Sequence, residues 1–244
     1  MSETPYLSII IPAYNEARRL PESLRELLQF CRSLTFDYEV LLVVEKSSDS
    51  TLELARHGSA GQEKFRVIDN RVHRGKGHAV RTGMLQARGT YRFYMDADLS
   101  TSLHEIPAFL DYFESHPEVD VLIGNRQHPR SHIFKSQSWL REKMGQSFNA
   151  ILLRMLPVKF ADTQCGFKAF RKEAAQAIFS RQTVDGFAFD VELLLLADHL
   201  GYHTADLPVR WINSPDSKVH IVADSFRMFL DAVSIRRRIN QTPP

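Results

Sequence analysis

The stretch Leu7–Glu16 reads LSIIIPAYNE, an isoleucine-rich apolar run that ends at proline and then turns polar. Such a run predicts a buried strand with polar side chains directly after it. Three more runs of this kind follow: Tyr38–Val44, Phe65–Asp69 and Tyr91–Met95. Helical patterns separate them, beginning with the leucines of Arg18–Cys31. The alternation predicts an α/β fold, with a mainly parallel central sheet and helices on both faces.

The composition is that of an ordinary folded domain. Its 244 residues include 31 lysines and arginines against 29 aspartates and glutamates, which leaves a net charge of +2. So small an excess gives no reason to expect a nucleic-acid partner. No apolar run approaches the roughly 18 residues that a membrane-spanning helix needs, and no signal-peptide pattern opens the chain. Cys31 and Cys165 match no metal or disulfide spacing, so we expect a cytoplasmic protein.

The second half of the chain is less regular. We interpret Asn125–Ser138 as a long, basic, mobile loop, because it lacks apolar periodicity. Helices are predicted over Trp139–Met155 and Phe187–Leu200, and an edge strand over Tyr202–Arg210. The segment Ile221–Asn240 predicts an amphipathic helix that carries an arginine triplet near its end. Packing on its own domain is the ordinary role of such a helix, and contact with anionic lipid is the alternative.

Two carboxylates follow the fourth predicted strand, in the triplet Asp96-Ala97-Asp98. In open α/β sheets, ligands bind beyond the carboxyl ends of the strands. If the chain stays extended there, Asp96 and Asp98 share a face and could hold a hard divalent cation. The alternative is a loop with two solvated acids.

Two other segments also follow predicted strands. The glycines of Gly75–Gly77 (GKG) allow the backbone to approach a ligand, and a following helix would favour an anion such as a diphosphate, with Arg81 nearby. A glycine turn with a solvated lysine is the alternative. After the first strand, Tyr14 could stack on a flat ring and Glu16 could accept hydrogen bonds. Asn15 could equally cap the next helix.

Acidic residues also interrupt the apolar helix over Phe187–Leu200. Asp190 and Glu192 are two positions apart and point in different directions, so they do not form an obvious pair. Buried acids need partners, so at least one should face a cleft. A salt bridge across helices is the alternative. A polar cluster precedes them and consists of Asp162, Gln164 and Lys168. Cys165 lies within this cluster in the sequence and is predicted to be a core residue rather than a nucleophile.

Together these segments resemble family 2 glycosyltransferases of the GT-A fold, and among them dolichyl-phosphate β-glucosyltransferases and related polyprenyl-phosphate hexose synthases. The matching stretches run from residue 7 to about residue 238, nearly the whole chain. They are LSIIIPAYNE, GKGHAVRTG, Asp96–Asp98, DTQCGFKAF (Asp162–Phe170), FAFDVE (Phe187–Glu192) and Ser217–Arg236. One departure is Val44-Glu45-Lys46, where the family usually has Asp-Asp-Gly.

The resemblance implies a nucleotide-sugar donor, with glucose from UDP-glucose favoured, and Mg²⁺ or Mn²⁺ held by Asp96 and Asp98. Asp98 is then also assigned to catalysis. The implied donor-binding residues are Pro12, Tyr14, Glu16, Glu45, Asp69, Lys76, Arg81 and Asp96. The hexose would be transferred with inversion at its anomeric carbon.

The resemblance also implies a polyprenyl-phosphate acceptor. Its phosphate would be held by Arg126, Arg130, Lys135, Gln164 and Lys168. A hydroxyl acceptor would instead need a base, for which Asp190 is the candidate. A lipid acceptor implies peripheral attachment, through 221–240, to the cytoplasmic face of a membrane.

We expect one domain over 1–244, with a nucleotide-sugar half at 7–124 and an acceptor half at 125–220. The nearest alternative is a soluble, metal-dependent glycosyltransferase with a small-molecule or glycan hydroxyl acceptor. A nucleotidyltransferase shares the frame but would release pyrophosphate. A dinucleotide-dependent oxidoreductase is disfavoured, because G-x-G-x-x-G is absent after the first strand. A non-catalytic nucleotide-sugar binder is disfavoured by the acid pair.

Overall fold

The computed structural model describes residues 4–134 and 159–212, together with residues 231, 234, 235 and 238. The strands are β1 (Leu7–Ala13), β2 (Tyr38–Glu45), β3 (Phe65–Asn70), β4 (Tyr91–Met95), β5 (Val121–Asn125), β6 (His132–Phe134), β7 (Phe167–Arg171), β8 (Thr204–Pro208) and β9 (Arg210–Ile212). The helices are α1 (Leu20–Arg32), α2 (Thr51–Gly58), α3 (Lys76–Gln86), α4 (Ile106–Ser115), α5 (Lys172–Arg181) and α6 (Phe189–His199). A short 3₁₀ turn, Leu103–Glu105, leads into α4.

Seven of these strands form one sheet in the order β3-β2-β1-β4-β7-β5-β8. Strands β1 to β4 run parallel to one another, as do β5 and β8. Only β7 runs the other way, between β4 and β5. The predicted α/β fold with a mainly parallel sheet is confirmed.

Apolar side chains cover both faces of the sheet. Along β1, Ile9 and Ile11 pack in one layer and Ile10 in the other, as the twofold alternation of a strand requires. The first layer is completed by α1, α2 and α4, and the second by α3, α5 and α6. Each fully buried isoleucine contributes about 1.5–3 kcal/mol. Continuous apolar strands therefore specify a sheet covered on both sides.

The basic stretch after β5 differs from the prediction of a loop. His132–Phe134 forms β6, which pairs in parallel with β9 in a separate two-stranded ribbon. The backbone N–H of Ile212 also donates to Ser100 O at 2.7 Å, so this ribbon is tied to the segment after β4. The strand predicted over Tyr202–Arg210 is β8, and it does lie at the sheet edge.

Some predictions lie outside the described residues. They are the helix over Trp139–Met155, most of the helix over Ile221–Asn240, and the side chain of Lys135. Within the part of the chain that is described, no helix has the length and apolar character to cross a bilayer.

Candidate functional site

The carboxyl ends of β1 to β4 bring polar side chains to one edge of the sheet. Tyr14 directly follows β1, where Pro12 is buried in the strand. Glu45 and Asn70 are adjacent in register at the ends of β2 and β3. Asp96 follows β4, on the other side of β1. The order β3-β2-β1-β4 therefore sets these residues in a row, as parallel strands require.

Asp96 forms an ion pair with the first residue of α3. Lys76 Nζ lies 2.5 Å from Asp96 Oδ1, and the side chains are 19% and 40% exposed, respectively. Burial alone would lower the pKa of Lys76, but the negative charges of Asp96 and Asp190 raise it. A charged lysine therefore stands at a helix N-terminus beside a partly exposed carboxylate, which suits the binding of an anion.

Gly166 provides the space for the Asp96 carboxylate. A Cβ atom at Gly166 would lie 2.0 Å from Asp96 Oδ2, far inside van der Waals contact. Gly166 directly precedes β7, whose residue Phe167 is the register partner of Met95, the last residue of β4. The antiparallel strand thus brings its glycine to the acid that follows β4.

Asp98 has a different environment from Asp96. The backbone turns here, because Leu99 N–H donates to Asp96 O at 3.0 Å and Leu99 has a φ of 49°. Asp98 Oδ1 accepts from Ser100, and Asp98 Oδ2 lies 3.1 Å from Arg19 Nη1. The expectation of an extended triplet is therefore wrong. The two carboxylates have separate cationic partners.

Arg19 was not identified from the sequence, and it links two predicted site residues. Its Nε and Nη2 donate to the Glu16 carboxylate at 2.7 and 2.6 Å, while its Nη1 reaches Asp98. All three side chains are less than a fifth exposed. Arg19 lies outside the quoted motifs, and no spacing rule relates it to Asp98, 79 residues later.

The donor set at this edge fits a hard divalent cation. Among residues 4–134 and 159–212, no group of three or more histidine, cysteine or acidic side chains is arranged to hold a metal. Mg²⁺, however, commonly takes one or two carboxylates and completes its shell with substrate phosphates and water. Asp96 and Asp98 offer carboxylate oxygens, and the Asp96 side chain is 40% exposed.

The Glu45 carboxylate is fully engaged by the loop after β3. It accepts from Asn70 Nδ2, the backbone N–H groups of Arg74 and Gly75, and Nδ1 of both His73 (3.1 Å) and His78 (2.7 Å). A carboxylate has about four lone-pair sites, so these donors saturate it. Burial alone would raise the pKa of Glu45, but the hydrogen bonds lower it, and His78 contributes most.

Tyr14 is stacked on a histidine. The rings of Tyr14 and His73 are parallel to within 7°, with centroids 3.7 Å apart. Tyr14 was predicted to stack on a flat ring, and in this structure that ring belongs to the chain itself. Neither His73 nor His78 was singled out from the sequence. The one available signal was the position of both histidines around the GKG triplet.

The glycines of the GKG triplet contact protein rather than open space. A Cβ at Gly75 would lie 2.5 Å from the carbonyl oxygen of Asp185, and one at Gly77 would lie 2.5 Å from that of Val184. Gly75 also has a φ of 130°, which other residues rarely adopt. These glycines therefore allow the loop before α6 to pack on α3, which differs from the predicted approach to a ligand.

Two predicted donor residues lie apart from this row. Asp69 points away from its neighbour Asn70 and pairs with Arg56 of α2 at 3.2 Å. Arg81 lies about one and a half turns into α3, where its Nη1 donates to Gln182 O at 2.9 Å. Among the described residues, neither forms a hydrogen bond or ion pair with Lys76 or Asp96. Their assignment to the donor site stays a prediction.

Asp190 is buried in an ion pair behind β4. It is 2% exposed, and its Oδ1 accepts from Tyr94 Oη at 2.5 Å and from Lys168 Nζ. Lys168 is completely buried and also donates to Cys165 O at 2.8 Å. Glu192 is buried as well, and accepts from Thr183 and Val184. Both acids are buried rather than exposed to a cleft, and Asp190 forms a salt bridge with strand β7 instead of with another helix.

Arg126 is held by the buried carboxylate of Asp162. Two guanidinium nitrogens and the backbone N–H of Arg126 each donate to it at 2.8 Å. Burial alone would raise the pKa of Asp162, but Arg126 lowers it. Arg130 is exposed to solvent. Gln164 Nε2 is shielded from solvent and has no hydrogen-bond partner in the described structure.

The sequence profile of "Glycosyl transferase family 2" matches residues 8–179. A dolichyl-phosphate beta-glucosyltransferase of Dictyostelium discoideum is 34% identical, over 96% of this chain and 74% of that protein. Proteins of the same name are similar in Drosophila melanogaster (36%; 87% of this chain and 69% of that protein) and Homo sapiens (33%; 97% and 76%).

Solved structures share the fold at low identity. Mannosyl-3-phosphoglycerate synthase from Rubrobacter xylanophilus superposes with a TM-score of 0.71 at 17% identity, covering 98% of this chain and 76% of that one. Glucosyl-3-phosphoglycerate synthase from Mycobacterium tuberculosis, crystallised with Mg²⁺ and UDP, gives 0.64 at 17% identity, covering 95% and 79%. These likenesses support the GT-A fold.

We predict that the Lys168–Asp190 pair is coupled in stability. Lys168→Met or Asp190→Leu alone should lower the free energy of unfolding by about 3–5 kcal/mol, because each leaves one buried charge unpaired. The double variant should lose clearly less than the sum, since it buries no charge. Urea unfolding measures all three. Simple additivity would contradict the pairing.

The Arg126–Asp162 pair predicts a pH-dependent stability. A carboxyl whose pKa is lowered by folding stabilises above its unfolded pKa of about 4, and this contribution is lost as the pH falls through the folded pKa. Asp162→Asn should therefore cost about 3 kcal/mol at neutral pH, and the difference from wild type should shrink below a pH of about 4.

The control for this prediction is Asp198→Asn, which removes a surface ion pair with Lys159. The side chain of Asp198 is 59% exposed and that of Lys159 is 75% exposed. Its unfolding free energy should stay within about 0.5 kcal/mol of wild type throughout the titration. A deficit in Asp162→Asn that persists unchanged into strong acid would refute the proposed charge pairing.

Proposed function

Because the chain belongs to glycosyl transferase family 2, we propose that it transfers a hexose from a nucleotide sugar to a polyprenyl phosphate. Glucose from UDP-glucose is the favoured donor. The observation that carries this proposal is the similarity, over nearly the whole chain, to several proteins named dolichyl-phosphate beta-glucosyltransferase. The UDP bound in the glucosyl-3-phosphoglycerate synthase structure supports a uridine nucleotide as the first to test.

The burial of Asp190 supports a phosphate acceptor over a hydroxyl acceptor. A hydroxyl needs a base to remove its proton, whereas a lipid phosphate is already an anion near neutral pH. Asp190 was the candidate base, but it is 2% exposed and its carboxylate accepts from Tyr94 and Lys168. We therefore assign Asp190 and Lys168 a positioning role.

The diphosphate of the donor would bind where Lys76 and Asp96 meet. Lys76 supplies a positive charge at the first turn of α3, and Asp98 is held in place by Arg19. Mg²⁺ or Mn²⁺ bound by Asp96 and Asp98 would neutralise the leaving diphosphate as a Lewis acid. The base and ribose would lie beside Pro12, Tyr14 and Glu16.

In the transfer, an oxygen of the acceptor phosphate attacks the anomeric carbon while the bond from that carbon to the diphosphate oxygen breaks. The nucleoside diphosphate leaves with the bonding electrons, and the anomeric carbon inverts. No proton has to be removed, because the attacking oxygen is already anionic. The residues of this chain act by holding two anions close together and in line.

We assign the acceptor phosphate to Arg126, Arg130 and Gln164. Arg126 is only partly satisfied by Asp162, because its Nη1 makes no hydrogen bond to the described residues. Gln164 Nε2 is likewise without a partner there. Lys135 belongs to the predicted set but lies outside the described residues.

The arrangement along the chain completes the proposal. Residues 7–124 would form the nucleotide-sugar half of one domain over 1–244, and residues 125–220 the acceptor half. Attachment to a lipid surface is proposed through 221–240, where an arginine triplet suits anionic headgroups at about 1 kcal/mol for each basic residue. A lipid-phosphate acceptor fits peripheral attachment at the cytoplasmic face.

A matched pair of acceptors tests the proposal. The protein is incubated with UDP-glucose and Mn²⁺ and with either farnesyl phosphate or farnesol, which differ only in the phosphate. We expect glucosyl transfer to farnesyl phosphate alone, and its loss with EDTA. Transfer to farnesol instead would favour the hydroxyl-acceptor alternative. GDP-mannose in a parallel reaction tests the donor.

Asp98→Asn should reduce this transfer by on the order of 100-fold or more, because it removes the charge that would hold the cation and pair with Arg19. Asp111→Asn on the exposed side of α4 is the control and should retain wild-type turnover. Circular dichroism checks that both variants fold. Full activity of Asp98→Asn would contradict the assignment.

A further inference from the structure

We infer that the chain binds a small, soluble phosphate monoester in a cavity between β4 and α5. The cavity has a volume of about 500 Å³, and its lining includes Arg92 of β4 and the exposed Lys172 and Arg181 of α5. Arg92 precedes Asp96 by four positions, so the two residues are roughly 13 Å apart along an extended strand. The cavity is therefore separate from the Lys76–Asp96 pair at the carboxyl end of the sheet.

Arg92 is a buried cation without an acid as its direct partner. The residue is 3% exposed. Its Nε donates to Gly89 O at 3.2 Å, and its Nη1 donates to Met84 O, in the last turn of α3, at 2.9 Å. Among the described residues, no carboxylate forms an ion pair with Arg92, and no group accepts from its Nη2. The guanidinium thus brings to the cavity a positive charge and a nitrogen that can still donate.

The acids near Arg92 balance its charge only in part. Burial lowers the pKa of Arg92, although the negative charges of Glu39 and Glu173 oppose this effect. Glu39 already accepts from Ser8 Oγ and from the backbone N–H of Arg88. Glu173 is exposed to water. Because a buried charge is unfavourable without a close counter-charge, an anion in the cavity would stabilise Arg92.

The charges around the cavity match a phosphate monoester. Lys172 is the first residue of α5, and the N-cap residue Arg171 makes no side-chain capping hydrogen bond, so the N–H groups of this helix end favour an anion. Arg92, Lys172 and Arg181 carry three positive charges, and Glu173 carries one negative charge. The resulting charge of +2 balances a phosphate monoester, which carries about two negative charges and three acceptor oxygens at neutral pH.

The rest of the cavity indicates a soluble ligand rather than a lipid headgroup. A volume of this size is typical of small-molecule sites and leaves room for an organic group beside the phosphate. Gln176 and Ser180 lie in the lining, where they can form hydrogen bonds with hydroxyl groups. A bilayer contact would need apolar side chains that enter the membrane. The exposed large apolar side chains of the described residues all lie outside the lining: Val72, Ile133, Phe134 and Ile212.

The test measures the binding of glycerol 3-phosphate by calorimetry, without divalent cations and at constant ionic strength, with glycerol as the matched neutral compound. We expect only glycerol 3-phosphate to bind. Arg92→Met should weaken this binding about 10- to 100-fold, because it removes a charged hydrogen-bond donor. Lys172→Gln should weaken it about three- to fivefold, and Glu173→Gln should tighten it by a similar factor. Arg25→Gln, on the exposed side of α1, is the control and should match wild type.

Arg92→Met also loses a contact with α3, so circular dichroism checks its fold. If it unfolds, Lys172→Gln and Glu173→Gln still test the site, because both change exposed side chains. Lys76→Gln should bind glycerol 3-phosphate as wild type does. A loss in Lys76→Gln but not in Lys172→Gln would place the anion at the carboxyl edge of the sheet and overturn the inference.

Two further outcomes would contradict the inference. If wild type does not bind glycerol 3-phosphate, Arg92 serves only to hold the end of α3. Vesicles that contain phosphatidic acid test a lipid headgroup as the ligand. Wild type and Lys172→Gln should sediment with these vesicles to the same extent. A loss of sedimentation in Lys172→Gln would mean that the cavity takes a lipid phosphate instead of a soluble one.

Discussion

A buried ion pair between Lys168 and Asp190 fixes the centre of the molecule. Lys168 stands on β7, the strand that runs against its neighbours, and Asp190 on α6 in the layer behind the sheet. Since an unpaired charge in this interior costs several kcal/mol, the strand and the helix cannot move apart independently. Lys168 also holds Cys165 O, so the turn that contains Gly166 is fixed against Asp96. The position of Asp96 at the sheet edge thus depends on an ion pair that is buried behind it.

Ion pairs also organise the polar residues at the carboxyl ends of β1 to β4. Lys76 is paired with Asp96, and Arg19 bridges Glu16 and Asp98. A divalent cation bound by the two aspartates, as proposed, would compete with these cations for the same oxygens. The diphosphate of the proposed donor would offer a new partner to Lys76. Binding of both would then exchange one set of ion pairs for another.

The sequence predicts the sheet well and the ribbon poorly. Apolar runs such as Leu7–Ala13 and Tyr38–Glu45 are long enough to predict buried strands. By contrast, β6 is three exposed residues that pair with β9, 78 positions later, and such a pairing leaves no local pattern. The row of polar residues at the strand ends was predictable, because parallel topology alone places it.

Pair partners were not predictable in the same way. The sequence marks Arg126 as basic, but only the fold reveals Asp162 beneath it, 36 residues away. Lys168 was predicted to bind a phosphate, but it is completely buried and paired with Asp190.

The role of the glycines also depends on the fold. Gly75 and Gly77 were expected near a ligand, but steric contact with the loop before α6 accounts for them. The sequence shows which charged side chains and glycines are present, and the fold determines which of them can contact a ligand.

The saturated carboxylate of Glu45 has a consequence for how this region can vary. Where the family usually has aspartate, this chain has one methylene more, and His73 and His78 reach in to meet it. A shorter acid at position 45 would draw its oxygens back and leave both imidazoles short of their acceptor. A substitution at only one of positions 45, 73 and 78 would therefore leave hydrogen-bonding groups without partners. Matched substitutions at all three positions would avoid this loss. Sequence changes in the loop between β3 and α3 are therefore coupled, through the Glu45 side chain, to the residue at the end of β2.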